Sequence, residues 1–164
     1  MSQLENALLY DFELAGRRVR LWKRLGESYE HVLMKALGYA LYVGEFPGLE
    51  IETKVGLRYK PDLVARRGAD DYRAREFLFW GECGQNSLRK TAWLLKHAGV
   101  GRLVLFKMMA SPAALIAELR AEVGARYLAG GRLQVVNFAP GVVALSASRR
   151  VARVPQSWYT RTVV

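Results

Sequence analysis

One cysteine, two histidines and five prolines are all that the 164 residues contain of those types. A lone Cys83 excludes an intramolecular disulfide and any cysteine-built zinc site. His31 and His97 have no partner at metal-ligand spacing, so each reads as a helix-surface or boundary residue. Neither a Gly-x-Gly-x-x-Gly run nor a P-loop occurs, and the 15 glycines fall at turns. No Ser/His/Asp arrangement is visible, and Cys83 beside Glu82 reads as a small strand residue rather than a nucleophile. No segment approaches the roughly 20 apolar residues of a membrane span. The first residues lack the basic and apolar regions of a signal peptide, so a cytoplasmic location is expected.

What the chain has is positive charge. Twenty-five Lys and Arg against 15 Asp and Glu give a formal net charge of +10 and a pI near 10.0. Such an excess draws polyanions, and nucleic acid is the commonest of them in the cytoplasm; solubility charge is the plainer alternative. The densest cluster is Arg58, Lys60, Arg66, Arg67, Arg73 and Arg75. With 51% hydrophobic residues the chain is expected to bury one core, as a single domain over 1–164 without linker or repeat.

Leu8–Leu14 and Arg18–Leu25 flank Ala15-Gly16-Arg17 and predict a hairpin. Leu33, Met34, Leu37, Ala40 and Leu41 recur at helical spacing and predict a helix from about 27 to 43, stopped by Phe46-Pro47-Gly48. Strands are expected over 49–55, 59–66 and 76–83, the last two joined by a polar hairpin loop over 67–75. Asn86 or Ser87 caps a helix to about 98, and 102–107 is a strongly β run. A strand, helix and strand joined by short loops form a crossover, so the strands at either end should run parallel. Ser111-Pro112 opens a further helix, and strands are expected over 133–138 and 142–146. Trp158-Tyr159, near a basic C-terminus, reads equally as a last edge strand, as a stacking site for bases or as a subunit contact. The fold class is therefore α/β with a mixed β-sheet flanked by helices and an N-terminal β-hairpin.

If the 67–75 loop centres near Tyr72, pairs across its strands sum to about 144, which sets Asp62 opposite Glu82. Opposed side chains lie about 4.5–5.5 Å apart at Cβ, where two carboxylates repel. A divalent ion with oxygen ligands, Mg²⁺ or Mn²⁺, would relieve this, and a one-residue slip would remove the pairing altogether. Glu82 between Gly81 and Gly84 leaves room for close approach of a ligand; the plain alternative is a solvated strand-end acid. Lys90 in the following helix can reach back toward the strand end, with Arg89 as its rival. Glu30, one turn into the first helix and in line with Met34 and Leu37, reads as a metal ligand or as an acid near a helix N-terminus.

Lys60-Pro61-Asp62, then nineteen residues to Glu82-Cys83-Gly84, then a helix and a parallel strand, resembles the PD-(D/E)XK nuclease superfamily. Phe79-Trp80-Gly81-Glu82-Cys83-Gly84-Gln85 leading into Arg89-Lys90 is similar to the YaeQ-like proteins, as is the early hairpin-then-helix order. YaeQ-like proteins lack a clear Pro-Asp, so the likeness is to the superfamily at Asp62 and to that subgroup at Glu82. The resemblance implies a restriction-endonuclease-like sheet and a nuclease for DNA or RNA. Asp62, Glu82 and Glu30 would hold Mg²⁺ or Mn²⁺, with Asp62, Glu82 and Lys90 as catalytic residues. Arg58, Lys60, Arg66, Arg67 and Arg89 would bind the nucleic acid. Gly84 stands where the superfamily motif has lysine, which Lys90 replaces in a member whose lysine has moved to the helix. A chain without that lysine binds nucleic acid without cutting, and a protein-association module, such as a homo-oligomer joined through Trp158-Tyr159, is the third alternative.

Overall fold

The computed structural model describes residues 8–68 and 76–164. The expected loop over 67–75 falls largely outside them, with Arg73 and Arg75. Strands β1 (Leu8–Leu14) and β2 (Arg17–Lys23) form the expected hairpin. Leu14 pairs with Arg17, so the turn is Ala15-Gly16, both at positive φ (50° and 77°). A two-residue turn with both centres left-handed matches the twist of the strands it joins. Helix α1 (Tyr29–Tyr42) begins where the Ser28 side chain accepts from the His31 N–H, leaving Glu27 before the helix.

Short strands β3 (Glu50–Ile51) and β4 (Leu63–Arg66) are each cut back from the expected runs. Glu52 at φ 54° takes the chain out of the β region, which ends β3 early. Strand β5 (Phe77–Cys83) follows, then helix α2 (Leu88–His97), capped by Ser87. Strand β6 (Leu103–Lys107) lies parallel to β5, as the crossover required. Helices α3 (Ala113–Glu122) and α4 (Ala125–Leu128) lead into β7 (Leu133–Phe138).

The expected strand over 142–146 is instead a short helix, α5 (Val142–Leu145). Pro140-Gly141 opens it, with Val142 N–H donating to Ala139 and Leu145 N–H to Gly141. Ser146 Oγ closes it on the Val142 carbonyl at 2.6 Å. An apolar run of four residues does not distinguish strand from helix by pattern, and the proline start decides for helix here. Strands β8 (Arg150–Val151) and β9 (Tyr159–Val163) complete the chain. Tyr159 faces Phe138 in an antiparallel β7–β9 pair, so the C-terminal segment folds back as an edge strand.

The larger sheet runs β3-β4-β5-β6-β7-β9 and the smaller β2-β1-β8. Period-two alternation divides the larger sheet into two apolar faces. Leu63, Ala65, Phe79, Val104, Phe106 and Val136 pack with α1 and with Phe12 and Leu14 of the hairpin. Val64, Trp80, Leu103, Leu105 and Val135 pack with Leu94 and Leu95 of α2 and with Ile116 and Leu119 of α3. Each fully buried side chain of this kind stabilises the fold by about 1.5–3 kcal/mol relative to exposure. Among the described residues no helix is long and apolar enough to cross a membrane.

Helix α1 docks on the sheet at Gly38. A Cβ there would come within 2.9 Å of both Leu63 Cδ1 and Phe106 Cζ, whereas one at Gly44 would meet nothing within 4 Å. Leu63 and Phe106 are fully buried and have little room to retreat. Gly38→Val should therefore cost about 1–3 kcal/mol in urea unfolding with an unchanged slope. Gly44→Ala should stay within about 0.5 kcal/mol of the parent. Equal stabilities for the two variants would contradict this docking.

Candidate functional site

Backbone hydrogen bonds bring Asp62 to the end of β5 that carries Glu82. Leu63 pairs with Gly81, Val64 with Trp80 and Ala65 with Phe79, as the count required, up to a bulge between Ala65 and Arg66; the ladder stops at Leu63, so Asp62 itself lies just beyond it. One step before Leu63, the Asp62 N–H donates to the Gly81 carbonyl at 3.1 Å. The Cys83 N–H in turn donates to Asp62 Oδ2 at 2.8 Å. The acids sit at the carboxyl end of β5, which is where open α/β sheets place their ligands.

Their partners come from different helices. Asp62 Oδ1 lies 3.4 Å from His31 Nε2 of α1. Glu82 Oε1 accepts from Trp80 Nε1 at 2.8 Å, and Oε2 from Lys90 Nζ of α2 at 3.0 Å. Trp80 precedes Glu82 by two residues on the same strand, so both turn to the α2 face. Lys90 reaches back because the Ser87 hydroxyl, accepting from the Lys90 N–H at 3.0 Å, starts α2 directly after the β5 turn. The Lys90 ammonium also lies 5.1 Å from the centre of the Tyr59 ring, which meets Trp93 edge-on.

The environments push the two carboxyls in opposite directions. Burial raises both, but at Asp62 it is outweighed by the bonds from His31 and the Cys83 N–H and by the charges of His31 and Lys35, leaving its pKa lowered. At Glu82, only 3% exposed, burial prevails over the Trp80 and Lys90 contacts, with Asp62's charge adding to it, and the pKa is raised. Burial also pushes the Cys83 thiol well up, which suits a packing role and not a nucleophile.

Two lysines at this end were not legible in the sequence. Lys35, 1% exposed, bonds Glu52 at 2.5 Å and Glu27 at 3.2 Å. Burial lowers its proton affinity, but these two acids and Asp62 more than restore it, and its pKa is raised. Lys107, 8% exposed at the end of β6, donates to the Gly84 carbonyl; burial lowers its pKa. His31 is the expected half-buried boundary residue of α1, and its contact with Asp62 was not anticipated. The available signal was His31 and Lys35 four apart with Glu27 four before His31, one helix face and its approach carrying three ionisable groups.

The remaining expected residues divide. Glu30 is exposed in the first turn of α1, apart from the buried Glu82. Arg58, Lys60 and Arg89 are exposed near the acid end, with Arg58 5.4 Å from the Tyr59 ring centre. Arg66 and Arg67 are at the other end of β4, roughly 13 Å from Asp62 along an extended strand. There Arg66 contacts Glu50 at 3.4 Å and Arg67 contacts Glu76 at 3.1 Å. Among the described residues no group of three or more His, Cys, Asp and Glu is arranged to hold a metal ion.

The fold is similar to two solved structures. The YaeQ protein from Pseudomonas syringae superposes with a TM-score of 0.56 at 18% identity, over 88% of this chain and 80% of that one. The YaeQ protein from Xanthomonas axonopodis pv. citri gives 0.53 at 17% identity, over 88% and 81%. At these identities the likeness is one of fold, and in fold the YaeQ-like layout expected from the hairpin, helix and Trp80–Gln85 strand end is met. No family model and no curated protein matches the chain.

Neutralising the two acids should move stability in opposite directions in EDTA. Glu82's raised pKa gives a contribution fully present below its unfolded value and lost as pH rises through the folded one; above that, an ionised carboxylate is held in a buried site. Glu82→Gln should raise the melting temperature by roughly 2–4 °C at pH 8 and change it little at pH 4. Asp62's lowered pKa stabilises above the unfolded value and is lost as pH falls through the folded one. Asp62→Asn should therefore lower the melting temperature at pH 8, with the deficit closing in acid. Shifts of the same sign at pH 8 would contradict the opposed environments. Lys35→Ala should cost roughly 2–3 kcal/mol in urea unfolding, less than a fully buried pair because Glu27 and Glu52 keep some water.

Proposed function

We propose that this chain is a divalent-metal-dependent phosphodiesterase of the PD-(D/E)XK nuclease type, acting on DNA or RNA. The observation that supports it most is that Asp62, held by the Cys83 N–H, and Glu82, held by Lys90, meet at the carboxyl end of β5. Mg²⁺ takes hard oxygen ligands, needs only one or two carboxylates and keeps several waters, so this donor set fits it. Asp62 and Glu82 would hold the ion, and Glu30 would join them only as an outer ligand. When bound, the metal supplies an activated water and offsets charge on the phosphate oxygens.

The chain's own residues have definite tasks. His31, the Cys83 N–H and Lys35 keep Asp62 ionised and fixed. Lys90 leaves Glu82 to place its ammonium against the phosphate, where a preorganised cation stabilises developing charge. Lysine at position 84 is disfavoured: the backbone there has φ 78°, which residues with a Cβ rarely adopt, and a Cβ would lie 3.3 Å from His31 Nδ1. Arg58, Lys60 and Arg89 would contact phosphates beside the cleavage point, and Arg66 and Arg67 phosphates farther along.

A second reading has its own support. All four carboxylate oxygens have a protein partner, from His31, Cys83, Trp80 and Lys90. A site so neutralised would bind nucleic acid without metal and without cutting.

Incubation of the protein with labelled single- and double-stranded DNA and RNA in Mg²⁺ or Mn²⁺ separates the two. Cleavage should be abolished by EDTA, by Asp62→Ala and by Glu82→Ala, and Lys90→Ala should slow it by about 100-fold. Salt-sensitive binding with no cleavage in either metal would remove the nuclease and leave the binding module.

A further inference from the structure

Beside the acid pair the chain opens a cavity of about 600 Å³, walled on its apolar side by Met34, Met108, Met109 and Leu115. Its polar lining is Lys107 and the turn from Gly84 to Ser87. The volume lies within the range of roughly 300–1,000 Å³ in which pockets take small ligands. Two donor groups here have N–H bonds to spare. Lys107 is buried, yet among the described residues no carboxylate lies within ion-pair distance of it, and its one hydrogen-bond partner is the Gly84 carbonyl. An ammonium has three N–H groups, so two are left over. The other group is the Asn86 amide, whose Nδ2 is buried with no partner.

A buried ammonium with no counter-charge and a buried amide donor with no partner are costly unless a ligand completes them. The cation calls for an anion. The methionines call for something flat and apolar, since thioethers are adaptable and make favourable contacts with aromatic rings. A nucleotide combines both in one small unit. An inorganic anion would leave the methionine wall unfilled, and a neutral apolar ligand would leave Lys107 unpaired.

We propose that this cavity seats one unpaired nucleotide of single-stranded DNA or RNA, its phosphate on Lys107 and its base among Met34, Met108 and Met109. A base within a duplex enters such a pocket only by leaving its stack, so single strands and frayed ends are favoured over intact duplex. The proposal takes from the nuclease reading only that the phosphate on Lys107 neighbours the one to be cut. Binding itself needs no metal.

Fluorescence anisotropy with the full chain in EDTA and 150 mM salt tests it, using three labelled 12-mers: oligothymidylate, the same chain without bases, and a duplex. Oligothymidylate should bind at least 10-fold tighter than either of the others. Lys107→Met should weaken it about 10-fold, and Met109→Ala, at an exposed wall position that does not threaten folding, should weaken oligothymidylate but not duplex. Equal affinity for the abasic chain or the duplex overturns the pocket, as does full affinity in a folded Lys107→Met protein. If that variant does not fold, the abasic arm and Met109→Ala decide. Base-dependent binding without cleavage in Mg²⁺ sinks the nuclease reading and leaves this one standing. Cleavage of duplex with base-independent binding does the reverse.

Discussion

Two carboxylates, Asp62 and Glu82, are drawn out of water at one end of β5, and the groups at this end of the molecule are arranged to satisfy them. Asp62 and Glu82 meet at the carboxyl end of β5, and the fold gives each a basic partner from a different layer. His31 of α1 takes Asp62, and Lys90 of α2 takes Glu82. Both helices are thereby tied to the same strand end from opposite faces. Ser28 and Ser87 fix where the helices begin, and so decide that these basic residues arrive at the acids.

The rest of the sheet is apolar on both faces, which makes the charged end an exception that stability alone does not explain. Lys35, Glu82 and Lys107 are all buried there. Hydrophobic side chains of similar volume are often as stable as buried ion pairs. Real folds concentrate such departures at sites of function. Buried groups with opposed proton affinities, a strand-end location and an adjoining cavity are together the pattern of a working site.

Much of this was legible beforehand, and the reasons are local. The Ala15-Gly16 hairpin, the α1 stripe, the Ser87 cap and the parallel β5–β6 crossover depend on turn chemistry, periodicity and short connections. The Leu63–Gly81 register beside the acids was countable because the register shift at Ala65/Arg66 lies farther along, toward the hairpin loop. Lys35, Glu52, Lys107 and the His31 contact were not legible, because each depends on how α1 and β6 dock over long sequence separations. Glu52 had the further disguise of a strand-like run that its positive φ interrupts. Val142–Leu145 misled because four apolar residues have no distinguishing period.

The central claim is that Asp62 and Glu82 share one divalent ion. Crystals soaked in Mn²⁺ and measured for anomalous scattering test it most directly. The account predicts a peak within coordinating distance, about 2.1 Å for an ion of this class, of an oxygen from each carboxylate, with Lys90 displaced from Glu82. A fully soaked crystal with no peak between them, and Lys90 still on Glu82, would contradict it.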